Sequence, residues 1–186
     1  MKKIVVILFV VSLTGIKGSA QAPVITKVQA ENNNSCIAAG PVFPLGNFSS
    51  THLAGIGAEY AWSHNRFGKM HANFQKKNDF VAAGGVAHYF GKKEKIGTGT
   101  FKYPGYTFIH INAGILYNLF RAGSISLTAG PGLGIYSGNT RFNINTVLCI
   151  RYYVSPEIAI TPGLVLIKET GSDPLYSASL KAAIVF

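Results

Sequence analysis

Charge is what this chain of 186 residues has least of: 13% of its residues are charged, and only seven are acidic. Charge that scarce excludes a disordered acidic or basic tail, a coiled coil and a nucleic-acid-binding arm, all of which need it dense. Two cysteines, Cys36 and Cys149, are too few for a disulfide framework. They are expected as free thiols, with pairing left open. No apolar run reaches the about 20 residues of a membrane-spanning helix. The acids, Glu31, Glu59, Asp79, Glu94, Glu157, Glu169 and Asp173, are spread along the chain and offer no paired carboxylates for acid–base work. The histidines His52, His64, His71, His88 and His110 lack the tight spacing of a metal motif. Neither a metal nor a cofactor is expected.

What is present is glycine (21), phenylalanine (12) and tyrosine (9), the composition of a β-rich chain. Lys2 and Lys3 precede a short apolar block, Ile4 to Leu13, and Gly18-Ser19-Ala20 supplies small residues. That is the pattern of a secretory signal peptide over 1–20. Its removal takes Lys2, Lys3 and Lys17 and lowers the net charge from +10 to +7. Residues 21–34, polar and ending in Glu31-Asn-Asn-Asn34, read as a periplasmic segment.

From residue 35 onward the signal is period two. Ile125, Leu127, Ala129, Pro131, Leu133 and Ile135 alternate with Ser, Thr and Gly between 124 and 134. Phe142, Ile144, Leu148, Ile150 and Tyr152 oppose Asn143, Asn145, Cys149 and Arg151. Tyr176, Ala178, Leu180, Ala182, Ile184 and Phe186 oppose Ser177, Ser179 and Lys181. Each is a strand with one apolar face. The opposite faces are too polar for the second half of a dry core, so lipid outside and a polar interior fit better. Aromatics recur at Tyr60/Trp62, Tyr89/Phe90, Tyr117/Phe120, Tyr152/Tyr153 and Phe186, intervals that suit strand pairs ending in one interfacial girdle.

The expected fold is therefore an all-β, transmembrane, antiparallel up-and-down barrel over 35–186, closed with an even number of strands. Ten strands are favoured, at 35–44, 52–62, 66–76, 80–90, 95–103, 106–119, 123–137, 141–153, 156–167 and 175–186. Eight is the alternative, with 95–103 the weakest strand.

The segments Gly40-Pro-Val-Phe-Pro-Leu-Gly-Asn-Phe48, Gly55-Ile-Gly-Ala-Glu-Tyr60 and Ala183-Ile-Val-Phe186 resemble the small outer-membrane β-barrel proteins of the porin-family, OmpX or OmpA type. The resemblance implies residence in the outer membrane and a C-terminal signal for the barrel-assembly machinery, matched here by Phe186, Ile184 and Leu180. It implies no soluble peptidoglycan-binding function.

On this topology Glu59, Lys69, His71, His110, Asn112, Arg151 and Lys181 line the lumen. His88 joins them if Val81, Ala83 and Tyr89 face lipid. Asp79, Glu169 and Asp173 sit in outward loops as solvated charges. Lys76, Lys77, Lys102, Arg141 and Lys168 lie at the outer rim, where they would meet anionic lipopolysaccharide. Arg66, Lys92, Lys93, Lys95 and Arg121 lie at periplasmic turns. The glycines of Gly130-Pro-Gly-Leu-Gly134 relieve crowding on the inner face and cradle no phosphate.

Three functions are weighed. A non-enzymatic structural or surface-interaction barrel comes first, monomeric and without nucleic-acid partners. A narrow channel favouring anions is the alternative. A lipid-modifying enzyme comes last: it needs a lipid-facing Ser beside a His near the outer leaflet, no segment supplies that pair, and His52 is the best available base.

Overall fold

A computed structural model describes residues 35–64, 78–120, 123–155 and 157–186. The expected signal peptide, the 21–34 segment, and the expected strand 66–76 with Lys69 and His71 lie outside the described residues. So do Arg66, Lys76, Lys77 and Arg121.

Among the described residues there are ten strands, and eight of them form the barrel. They are β1 (Ser35–Leu45), β2 (His52–Ser63), β3 (Asn78–Gly91), β6 (Tyr106–Phe120), β7 (Gly123–Tyr136), β8 (Asn139–Tyr153), β9 (Ile158–Glu169) and β10 (Leu175–Val185). A four-residue helix, α1 (Phe48–Thr51), lies between β1 and β2, and β4 (Lys93–Ile96) and β5 (Gly99–Lys102) form a separate two-stranded ribbon. The cyclic order is β1-β10-β9-β8-β7-β6-β3-β2, every barrel pair antiparallel. The seam is sealed to its last residue: Ser35 N–H donates to the Phe186 carbonyl at 3.0 Å, and Phe186 N–H returns the bond at 2.9 Å. Closure leaves no strand edge with bare backbone donors, which lipid does not tolerate.

The favoured count of ten is thus corrected to eight. β2 pairs directly with β3, from Ser63↔Val81 to Gly55↔Tyr89, so the ladder has no slot for a strand drawn from 66–76. The expected strand 95–103 contains its own turn, with Gly97 at φ 61° between Ile96 and Gly99, and folds back as β4–β5 above the barrel. Closure with eight strands preserves evenness but changes which end several residues occupy. Lys92, Lys93 and Lys95, expected at periplasmic turns, stand at the end opposite Ser35 and Phe186. Asp79, expected in an outward loop, stands at the terminal end beside the β2 exit. Tyr89 and Phe90 also move to the far end, so the aromatic interval does not mark one girdle.

It marks two. Phe80 and Phe90 on β3, Phe142 and Tyr152 on β8, and Tyr176 and Phe186 at β10 all point outward and are exposed. Each pair is ten positions apart on its strand. Ten residues at about 3.3 Å each, tilted about 40°, climb about 25 Å, the height of the apolar band of a transmembrane barrel. Between the girdles the outer face is Ile56, Ile111, Ile115, Leu127, Leu133, Ile144, Leu164 and similar side chains, with Ile111 72% exposed. No helix among the described residues is long and apolar enough to cross a membrane. The β7–β8 connection at the far end is the two-residue turn Ser137-Gly138, with φ of 51° and 78°, the left-handed pair that matches the strand twist of a hairpin.

Candidate functional site

The middle of the lumen is polar and closely packed, between apolar clusters around Leu116 and Val185 on one side and Phe48, Tyr89 and Phe108 on the other. Strand alternation turns Glu59, His110, Asn112, Asn145, Cys149, Arg151 and Lys181 inward from β2, β6, β8 and β10. Lys181 Nζ lies 2.9 Å from Glu59 Oε2, and His110 Nε2 is 3.9 Å from the same oxygen. The His110 ring is stacked on Phe108, centroids 4.8 Å apart. One layer over, Asn112 Nδ2 donates to Asn145 Oδ1 at 2.7 Å, and Asn145 donates to the Gly130 carbonyl at 2.9 Å. Gly132 makes room for this layer, because a Cβ there would sit 2.6 Å from Asn143 Oδ1. Toward the terminal end Arg151 donates to Cys36 Sγ at 3.2 Å, and both cysteines are free. The void among Glu59, Cys149, Arg151, Thr161 and Lys181 is about 10 Å³, roughly one water. Of the residues expected to line the lumen, Glu59, His110, Asn112, Arg151 and Lys181 meet there; Lys69 and His71 lie outside the described residues.

Sequence reasoning missed the plug at the far end. α1 drops Phe48 into the mouth, where it is 4% exposed and packs on Tyr89 at 4.8 Å and Tyr106 at 5.5 Å. His52, expected at an outer loop, points inward onto the same ring at 4.7 Å. Glu169, expected as a solvated loop charge, is instead buried: Tyr106 donates to its Oε1 at 2.8 Å and Arg141 stands 3.8 Å away. Asp173 lines the same mouth cavity of about 280 Å³, so two of the three outward acids converge there while Asp79 is at the opposite end. Nothing in the local sequence of Glu169 distinguishes a solvated charge from a buried one; its partner, Tyr106, is 63 residues away.

The far end also carries the β4–β5 ribbon. Register places Lys93 opposite Lys102 and Lys95 opposite Thr100, on one face; Glu94 lies opposite Phe101 and Ile96 opposite Gly99, on the other. Three lysines therefore share a face, and Phe101, Ile96 and Tyr103 take the other, with the Phe101 and Tyr103 rings edge to face at 4.9 Å. Tyr103 donates to Glu94 at 2.8 Å, a bond that holds its phenol above the ordinary tyrosine range. Lysines directly across a ladder repel.

His88 does not join the lumen. Val81, Ala83 and Tyr89 face inward and His88 faces out, beneath the ribbon. Its Nδ1 is 2.9 Å from Thr107 Oγ1 on the neighbouring strand. An outward-facing hydroxyl beside a histidine, not found in the sequence, is thus present, although the hydroxyl is threonine and, among the described residues, no acid lines the groove around it.

No protein-family model and no curated protein matches the chain. Solved structures do. The crystal structure of Ail, the attachment invasion locus protein of Yersinia pestis, matches over 83% of this chain and 98% of that one, at 11% identity and a TM-score of 0.53. The same protein in a phospholipid bilayer nanodisc matches at 13% identity over 83% and 100%, with a TM-score of 0.53. Ail has also been solved in complex with the heparin analogue sucrose octasulfate, with the same 0.53. At these identities the shared property is the fold, the closed eight-stranded barrel of small outer-membrane proteins.

Proposed function

We propose that this chain is an exported, monomeric outer-membrane barrel whose lumen is closed and which acts through its far end, without catalysis, as a surface-interaction protein. The residues of the C-terminal signal, Phe186, Ile184 and Leu180, would present it to the barrel-assembly machinery. The far end, opposite the termini, would face outward, and its Lys92, Lys102, Arg141 and Lys168 would meet lipopolysaccharide phosphates.

The observation that carries the interaction role is the sorting of β4–β5 into a face with three lysines and a face with Ile96, Phe101, Tyr103 and the one acid, Glu94. Lys93 and Lys102 set against each other cost stability that a polyanion returns. Sulfated or phosphorylated polymers have that chemistry, and the heparin analogue found with Ail makes a suitable probe.

Isothermal titration of the barrel in nanodiscs with sucrose octasulfate tests this. Binding is expected to weaken about tenfold when Lys93, Lys95 and Lys102 become Gln, three exposed pairs at roughly 0.5 kcal/mol each. It should also fall with added salt. Equal binding by the triple variant would refute the assignment. The channel alternative has less support, because Glu59 and Lys181 close the middle and Phe48 closes the mouth.

A further inference from the structure

On the outer wall, beneath the β4–β5 ribbon, lies a groove of about 490 Å³ whose lining includes His88, Phe90, Lys102, Gly105, Thr107 and Ser137. It occupies the level where β3, β6 and β7 reach the upper girdle: His88 pairs with Thr107, and Thr107 with Ile135, across consecutive ladders. Directly below, Val86 pairs with Ile109 and both are exposed apolar side chains. An imidazole here stands on a wall that is mostly apolar, and burying its polar atoms in lipid is costly unless each is partnered.

Its bond with Thr107 uses Nδ1, at 2.9 Å. If Thr107 donates its proton, the neutral ring carries its own on Nε2, which becomes a donor. That edge lies over Gly105, where a Cβ would come within 2.8 Å of Cε1 and 2.9 Å of Nε2. The glycine therefore keeps open the approach to the ring. Lys102 is the one charged residue of the lining, and Ser137 brings a hydroxyl to its upper edge. Donors and one cation cluster above an apolar wall with Phe90 and Ile135.

We propose that this groove holds the phosphate-bearing headgroup of an outer-leaflet lipid. Lys102, His88 Nε2–H and Ser137 face the phosphate, while the acyl chains run down past Val86 and Ile109. The site is lateral and shares Lys102, but neither Lys93 nor Lys95, with the lysine face offered to soluble polyanions, and it rests on the membrane placement proposed above. Charge complementarity selects the occupant: an uncharged lipid gains nothing from Lys102, and a free polyanion gains nothing from the wall.

The test is titration of the folded barrel in zwitterionic micelles with dihexanoyl phosphatidic acid, observing the histidine ring carbon–proton signals by NMR. His88 is assigned from its loss in His88→Phe. A saturable shift of the His88 signal is expected, with affinity about fivefold weaker in Lys102→Gln. Gly105→Ala, which crowds the ring edge, is expected to weaken it as well, while Asp79→Asn, at the opposite end of the barrel, leaves it unchanged. Inorganic phosphate that shifts His88 as strongly as the lipid would overturn the lipid assignment, and unaltered affinity in Lys102→Gln would overturn the site. A chain that fails to fold in micelles defeats the membrane placement and the site with it; a folded barrel whose His88 signal never moves defeats the site alone.

Discussion

At the scale of single residues the decisive contact is Lys181 with Glu59, 2.9 Å apart inside the lumen. Removing one partner leaves the other charge in a poorly hydrated interior, so Lys181→Ala is expected to cost about 3–5 kcal/mol of unfolding free energy. Replacing both, in Glu59→Leu with Lys181→Leu, is expected to cost less than either single change. Urea titration of the three variants in micelles decides this, and equal losses throughout would show that the pair contributes nothing as a pair. Phe48→Ala is expected to cost about 3–5 kcal/mol by the same measurement, the range for emptying a buried aromatic site. Neither contact was within reach of the sequence, although the inward direction of Glu59 and Lys181 was. Period two gives the direction of Glu59, His110, Arg151 and Lys181, because strand geometry alone decides which side a residue faces. It does not give partners: Glu59 is 122 residues from Lys181, and Phe48 reaches the mouth through a helix too short to have a pattern.

Elements divide by whether they belong to the closed ladder. β7, β8 and β10 alternate in the sequence as they do in the barrel, since each has one face outside the barrel and one on the lumen. The β4–β5 ribbon has neither neighbour, and every one of its residues is exposed. A short alternating stretch with a glycine turn at its centre looks the same in composition whether it spans a membrane or stands above it. Because no barrel strand pairs with the ribbon, replacing residues 93–102 by a short Gly-Ser loop is expected to leave the folded barrel and its heat-dependent electrophoretic shift intact, while sucrose octasulfate binding is lost. Loss of the shift in that variant would mean that the ribbon is needed for closure.

For the whole molecule, parity is the property that the sequence conveyed and strand number the one it did not. Evenness follows from sealing Ser35 to Phe186, whatever the count. The number depends on which segments hydrogen-bond to which: β2 pairs directly with β3 and β3 directly with β6, so the barrel closes with eight strands and not ten. With eight strands the interior has room for its side chains and little else. Planar bilayers containing the heat-modifiable protein should therefore stay at baseline current, and steady conductance steps in the wild type would reopen the channel alternative. The central claim is that the outer face of this barrel lies against lipid. Nitroxide labels placed singly along 142–152 of β8, in a background carrying Cys36→Ala and Cys149→Ala, test it in bilayers by their collisions with oxygen, which concentrates in lipid. Oxygen accessibility should peak at Ile144, Leu148 and Ile150 and fall at Asn143, Asn145 and Val147. A profile without that alternation, or one in which the even positions meet a water-soluble relaxant instead, would contradict the claim.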